Sequence, residues 1–230
     1  MRETLIYASV ASGALLAGAV LGCLRRPPRQ LTAAMLAFAA GALIVAVAFE
    51  LFQPAHRDAG LARASAALVA GAATFIAVDL LLQRRTCADA VGLSLVAAVT
   101  LDGVPENFAL GVGLAEGGSL ALLAAVVASN FPEAFGGAAE MRAGGMSSSR
   151  TLRVWAVTAV LLTVALFAGR LASGVASDAW LGMLMGFAAG AVLASIADTV
   201  MPQAYAEGGP LVGFATSAGF LVAYALTTVD

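Results

Sequence analysis

Five polar residues with the chemistry of metal ligands lie inside two long apolar runs of the sequence. One run carries Asp102 and Glu106, and the next run carries Ser129, Asn130 and Glu133. Both runs contain the same pattern, a polar residue followed three positions later by Pro-Glu. Residues four apart lie on one face of a helix, so each run presents its polar side chains to one side. Carboxylate, amide and hydroxyl oxygens are the donors that hard divalent cations prefer.

The composition around these residues predicts a membrane protein. The chain has 230 residues, of which 61% are hydrophobic and 11% are charged. A soluble domain contains about 25% charged residues and cannot bury so much apolar surface. The high hydrophobicity excludes a disordered chain, and the net charge of −2 gives no electrostatic basis for binding nucleic acid. The two cysteines have neither disulfide-framework nor zinc-site spacing.

Eight apolar runs of about 20 residues predict eight membrane-spanning helices in a single transmembrane domain, residues 1–230. We number them spans 1 to 8; they cover about 4–24, 31–52, 61–83, 90–115, 118–140, 152–172, 180–204 and 211–228. Most arginines lie in the links after spans 1, 3 and 5, which predicts a cytoplasmic location for those links. Both termini then lie outside the cytoplasm, in a multi-pass protein of the inner cell membrane. A cleaved signal peptide is the alternative for span 1, but its basic cluster follows the run.

Three acids, Asp102, Glu106 and Glu133, are predicted to lie near the middle of the membrane without a Lys or Arg inside the same runs. An ionised acid at this depth costs about 2.5–3.5 kcal/mol on insertion scales. Pro105 and Pro132 each remove a backbone donor, which frees a carbonyl oxygen beside the acids. A divalent cation bound between Glu106 and Glu133 would balance most of the charge. The alternative is a protonated, hydrogen-bonded cluster that only packs the helices.

Spans 2 and 7 share a motif that predicts an internal repeat. Each contains Phe-Ala-Ala-Gly-Ala, starting at Phe38 and at Phe187, and each then has a carboxylate four residues before a proline. These carboxylates, Glu50 and Asp198, are candidates for gating or for a secondary metal site, with plain interfacial carboxylates as the alternative. Alternating topology gives the two spans opposite directions, as in inverted-repeat transporters. The alternative is a small-residue packing face that is common in membrane helices.

The two Pro-Glu motifs resemble those of the ZIP family of divalent metal transporters. The matching segments are DGVPEN at 102–107 and SNFPEA at 129–134. The resemblance implies an all-α membrane fold of eight helices in a 3+2+3 inverted repeat, with both termini extracytoplasmic and a homodimeric assembly in the bilayer. It also implies metal ligands at positions that match the family motifs, which are Asp102, Glu106, Ser129, Asn130 and Glu133. Asn107 stands where the family has Gly and is a candidate for a secondary metal or gating role.

The motifs depart from the family pattern at its nitrogen ligands. Asp102 and Ser129 stand where the family has His or Gln, and Gly103 stands where it has Asn. Span 6 offers no carboxylate between Val154 and Phe167. We therefore expect one bound ion. The resemblance favours zinc, whereas the oxygen donors favour a harder ion such as manganese, so the metal (Zn, Mn, Fe or similar) stays open.

These features together predict transport of a divalent metal cation by alternating access, with the cation as substrate and with no cofactor. The resemblance implies that spans 1, 4, 5 and 6 move against a scaffold of spans 2, 3, 7 and 8. One alternative is a ZIP-like protein that senses metal or does not transport. A less favoured alternative is an intramembrane metal-dependent hydrolase. We do not expect an enzyme, because a phosphatase needs Arg near its phosphate and an aspartyl protease needs two opposed Asp residues.

Overall fold

The computed structural model describes residues 2–85, 91–115 and 117–229, with side chains described for 2–82, 99–115 and 117–229. This part of the chain is helical and contains no strand. The α-helices, in chain order, are α1 (Arg2–Leu24), α2 (Arg29–Val45), α3 (Gln53–Ala59), α4 (Leu61–Arg85), α5 (Val91–Gly113), α6 (Leu120–Ala143), α7 (Ser148–Ala172), α8 (Asp178–Ser195), α9 (Met201–Gly208) and α10 (Val212–Thr227). The predicted start of span 4 at residue 90 lies outside the described residues.

Several helices are long and apolar enough to cross a membrane, which confirms the general character of the prediction. Within the described residues there are six such stretches. The last of them, Asp178–Thr227, is 50 residues long, whereas one crossing needs about 20 residues. A short 3₁₀ turn at Gly209–Leu211 divides it.

Spans 2 and 7 extend farther than the sequence predicts, and each contains a π-helical segment. Helix α2 continues as a π-helix over Ala46–Phe52 and then becomes α3. Helix α8 continues in the same way over Ile196–Val200 and then becomes α9. π-Helical segments are rare and are frequent at functional sites. The two segments contain the two predicted repeat carboxylates, Glu50 and Asp198.

The wider π-helical turn explains why these helices do not end before their prolines. The backbone N–H of Gln53 donates to the carbonyl of Ala48, five residues back, and Pro54 follows in the first turn of α3. A proline in a first helical turn lacks only a donor that has no partner there in any case. Pro202 holds the same position in α9.

Helices α5 and α6 also continue through their internal prolines. Pro105 lies within α5 and Pro132 lies within α6, and neither helix is interrupted. The loss of each proline N–H is therefore local, within a continuous helix. The carbonyl oxygen that each proline is expected to free thus lies within an unbroken helix.

Glycines allow the backbones of two helices to come into direct contact in four helix pairs: α1 with α6, α2 with α10, α4 with α8, and α5 with α7. A methyl group on Gly41 of α2 would overlap the carbonyl of Thr216 in α10. A methyl group on Gly219 of α10 would overlap the carbonyl of Phe38 in α2. Close packing of small residues is the main source of helix association in lipid, where apolar surface alone gives no driving force.

The α4–α8 pair uses the same arrangement as the α2–α10 pair. Gly71 of α4 packs on the carbonyl of Phe187, and Gly190 of α8 packs on the carbonyl of Leu68. Phe38 and Phe187 both begin a Phe-Ala-Ala-Gly-Ala motif. The shared motif therefore serves the same packing function in both helices.

The outer surface of the bundle is apolar. Large apolar side chains on α4, α7 and α10 are more than half exposed, including Val69, Val157 and Phe214. A soluble monomer rarely exposes apolar patches of this extent. A surrounding lipid phase removes this cost, which agrees with the length and composition of the helices.

Candidate functional site

Helices α5 and α6 place the two Pro-Glu motifs side by side in the interior of the bundle. Asp102 is 8% exposed and Glu106 is 3% exposed on α5, while Ser129 and Asn130 are each 1% exposed on α6. Glu133 is partly exposed and lines a cavity. The structure thus brings Glu106 beside Ser129 and places Asp102 and Glu133 in the wall of one cavity, while Asn130 is buried on α6 next to Ser129 in sequence.

The closest contact between the two motifs joins Glu106 and Ser129. The Ser129 hydroxyl lies 3.5 Å from Oε2 of Glu106 and 3.1 Å from the carbonyl of Val126. A strong hydroxyl–carboxylate hydrogen bond is shorter, at about 2.5–3.0 Å. Because Ser129 has only one hydroxyl proton, the nearer carbonyl competes with Glu106 for it. Glu106 therefore receives little stabilisation from this contact.

Asp102 is held from two directions. Its Oδ1 accepts a hydrogen bond of 2.9 Å from the backbone N–H of Gly103, and its Oδ2 accepts one of 2.6 Å from the hydroxyl of Ser195. Ser195 belongs to α8 and is 1% exposed. Thr199, one turn later, donates to the carbonyl of Ser195 at 2.7 Å. Helix α8 is therefore a third contributor to the site.

The sequence reasoning missed Ser195 and Thr199. Their only signal is a pair of hydroxyls one turn apart, shortly before Pro202. In an apolar helix, such hydroxyls usually bond to their own backbone, as Thr199 does here. Nothing in the periodicity of span 7 indicates that Ser195 faces α5.

The two asparagines of the motifs differ in their hydrogen bonding. Asn107 donates from Nδ2 to the carbonyl of Gly103 at 2.8 Å, which anchors its side chain on α5. Asn130 is equally buried, but its Nδ2 has no hydrogen-bond partner among the described residues. A buried polar group without a partner costs about 1–3 kcal/mol, so such a group usually indicates a role beyond packing.

The three acids have no basic partner within the described part of the chain. Arg57 and Asp58 form an ion pair at 2.8 Å, far from this site in sequence. Glu133 lines the same cavity as Asp102. No three Asp, Glu, His or Cys side chains of the described residues converge to metal-binding distance.

A cavity of about 100 Å³ adjoins the site on one side. Its wall includes Asp102, Glu133 and Thr199, and it extends toward Glu140 and Gln203. A single water needs about 10–15 Å³ on this measure, so the cavity has room for an ion with several waters.

A larger cavity continues from the first toward the link between α1 and α2. It measures about 360 Å³ and shares Glu140 and Gln203 with the smaller cavity. It extends to Arg26 and Arg29, which the sequence predicts on the cytoplasmic side. The cavity at the acids thus borders a second cavity that lies nearer to one end of the bundle.

The two secondary candidates on the π-helical segments lie elsewhere. Glu50 lines a separate cavity of about 470 Å³ together with Asp58 and Asp178. Asp198 is exposed and lines none of the cavities described above. The structure therefore does not place either residue in the cavity of Asp102 and Glu133.

Gly103 packs closely against a leucine of α7. A Cβ added to Gly103 would lie 2.9 Å from Cδ2 of Leu162, which is 1% exposed. A larger residue at position 103 would therefore require the leucine side chain to move.

No protein-family model matches the chain, and no curated protein matches it. The ZIP resemblance therefore rests on the two Pro-Glu motifs and on the order of the predicted spans.

Proposed function

We propose that the chain is a membrane transporter that moves a divalent metal cation by alternating access, with the cation bound between α5 and α6. The observation that carries this proposal is the group of three acids, Asp102, Glu106 and Glu133, in an apolar helical interior without a basic partner among the described residues. Such acids are costly inside a membrane and are typical of ion pathways.

A cation accounts for the surroundings of the acids better than helix packing does. Ser129 and Asn130 add a hydroxyl and an amide, both of which are oxygen ligands. Glu106 lacks a strong donor, and the amide of Asn130 lacks a partner. A cluster that served only packing would have its buried polar groups satisfied.

One-sided access to the site supports alternation between two states. The cavities extend along α6 from Glu133 toward Glu140. In the opposite direction, the neighbours of the site are the fully buried side chains Leu110, Leu122 and Val126. A transporter needs one open and one closed path in each end state, and this arrangement fits the state open toward Glu140.

Paired packing supports an inverted repeat of the 3+2+3 type. In this assignment α1, α2–α3 and α4 correspond to α7, α8–α9 and α10, and α5 and α6 lie between them. The α2–α10 and α8–α4 pairs use glycines at matching places, and both α2 and α8 lead into π-helical segments. Eight spans with both termini outside the cytoplasm of the inner membrane follow from this assignment and from the arginine distribution.

The donors favour a hard cation and a single ion. No His or Cys lies in the described residues of the motifs, and oxygen-only sites suit Mn²⁺ better than Zn²⁺. Gly103 supplies no side-chain ligand at the position where the family motif has Asn. We therefore propose one ion per chain, with manganese favoured over zinc or iron, and a homodimer by resemblance to the ZIP family.

Uptake by reconstituted protein tests this proposal. Purified protein in liposomes is given radioactive Mn²⁺ or Zn²⁺ outside, and the internal radioactivity is followed. We expect uptake by the wild type and its loss in Glu106→Gln and in Glu133→Gln. Glu3→Gln makes the same chemical change at an exposed position of α1 and serves as the matched control.

A ZIP-like protein that binds metal without transport is the second candidate. The observation that favours it is that the three acids do not converge to metal-binding distance among the described residues. Such a protein would bind a cation with dependence on Glu106 and Glu133 but would show no flux under a metal gradient. The uptake assay, run beside a binding assay, separates the two candidates.

A further inference from the structure

The hydrogen bond between Ser195 and Asp102 is the shortest of those that tie the site to a neighbouring helix. It joins α8 to α5 over 93 positions of sequence at 2.6 Å, and both residues are at least nine-tenths buried. A hydrogen bond from a hydroxyl to a buried carboxylate is charge-assisted and is among the stronger hydrogen bonds in proteins.

With this bond and the backbone bond from Gly103, each oxygen of Asp102 accepts one hydrogen bond. It directs Oδ2 toward α8, while Glu106 contacts Ser129 on α6. The three acids do not converge among the described residues. A cation that draws Oδ2 of Asp102 toward Glu106 must therefore compete with the Ser195 hydroxyl for this oxygen.

We propose that Ser195 is a positioning residue that competes with the cation for Asp102. This inference rests on the proposed function. In the cation-free protein the hydroxyl of Ser195 donates to Oδ2 of Asp102 and holds α5 against α8. Cation binding takes Oδ2 from the hydroxyl and releases this link between the two helices. Ser195 thereby lowers the affinity of the site for its cation.

The matching part of α2 has no equivalent group. The π-helical segment that continues α2 begins with Ala46 and Val47, both buried and apolar. The α8 segment begins directly after Ser195. The competing hydroxyl is therefore present in only one of the two matching helices, and its bond belongs to the state open toward Glu140.

The test compares Ser195→Ala and Ser195→Thr with the wild type in detergent, by titration calorimetry with Mn²⁺ alone. Removal of the competing hydroxyl should tighten Mn²⁺ binding about tenfold, the effect of losing a hydrogen bond to a charged group. Ser195→Thr keeps a hydroxyl and should bind Mn²⁺ with nearly wild-type affinity. Ser12→Ala is the matched control, because Ser12 makes a 2.7 Å bond to Thr163 between α1 and α7, away from the site.

A second readout follows the carboxylate directly in the cation-free protein. The infrared band of Asp102, assigned by its loss in Asp102→Asn, should shift in Ser195→Ala and should stay unchanged in Ser12→Ala. A merely structural role for Ser195 would change stability without moving this band.

The outcomes separate this inference from the proposed function. Weaker or unchanged Mn²⁺ binding by Ser195→Ala overturns the inference, while Glu106-dependent binding by the wild type leaves the proposed site intact. If the wild type binds neither Mn²⁺ nor Zn²⁺, the proposed function fails and the inference falls with it. Tighter binding by Ser195→Ala together with the band shift supports both.

Discussion

The hydroxyl of Ser129 lies 3.5 Å from Oε2 of Glu106, and this contact links the Pro-Glu motif of α6 to that of α5. It is too long to offset the cost of a buried carboxylate charge. Glu106 is nonetheless only 3% exposed. The contact therefore contributes little to the stability of the fold, and the proposed function assigns both residues to the cation instead.

We expect the Asn130 side chain to lower the stability of the cation-free protein and to contribute to cation binding. We expect Asn130→Leu to raise the thermal midpoint of the cation-free protein by a few degrees, because it removes a buried amide donor without a partner. We also expect the rise in midpoint that Mn²⁺ gives the wild type to disappear. Thr151→Val is the control, since the Thr151 hydroxyl is also buried without a partner among the described residues but belongs to α7. An unchanged Mn²⁺ effect in Asn130→Leu would contradict a ligand role.

Cation binding should release protons. Carboxylates must be deprotonated to bind a metal, so a lower pH opposes binding and a higher pH favours it. For each proton released, the apparent dissociation constant should rise about tenfold per unit of pH decrease. Calorimetric titrations with Mn²⁺ in two buffers of different ionisation enthalpy count the protons. Equal heats in both buffers would show that the acids are already ionised without the cation.

Glycine packing between α2 and α10 should be sensitive to a single methyl group. Gly219→Ala would overlap the backbone of Phe38, which cannot move as a flexible side chain does, so we expect a loss of about 1–3 kcal/mol or more. Gly213→Ala lies on the same helix with open space around it and should be neutral or slightly stabilising. Thermal unfolding followed by size-exclusion chromatography compares the two. Equal midpoints would contradict close backbone packing of α2 on α10.

The sequence alone predicts the helical character of the chain and the positions of the acids along the helices, because both depend on local information. Apolar runs identify long helices, and two Pro-Glu motifs identify the polar positions on α5 and α6. The structure places Glu106 beside Ser129, in line with the face that the spacing predicts.

Other features depend on contacts that no local pattern records. The π-helical segments arise from a change of hydrogen-bond partner, so the predicted end of span 2 before Pro54 fell short of the structure. The bond from Ser195 to Asp102 joins two helices that are distant in sequence, so neither helix's own pattern indicates it. Gating by Asp198 stays a prediction, and its exposed position gives that role no support.

The most direct test of the central claim is cation flux through the purified protein in liposomes. We predict Mn²⁺ uptake by the wild type and by Glu3→Gln, and a loss of at least tenfold in the initial rate for both Glu106→Gln and Glu133→Gln. Uptake by both of the latter variants at the wild-type rate would contradict the assignment of the site. Absence of flux in the wild type, with Mn²⁺ still bound, would contradict transport itself.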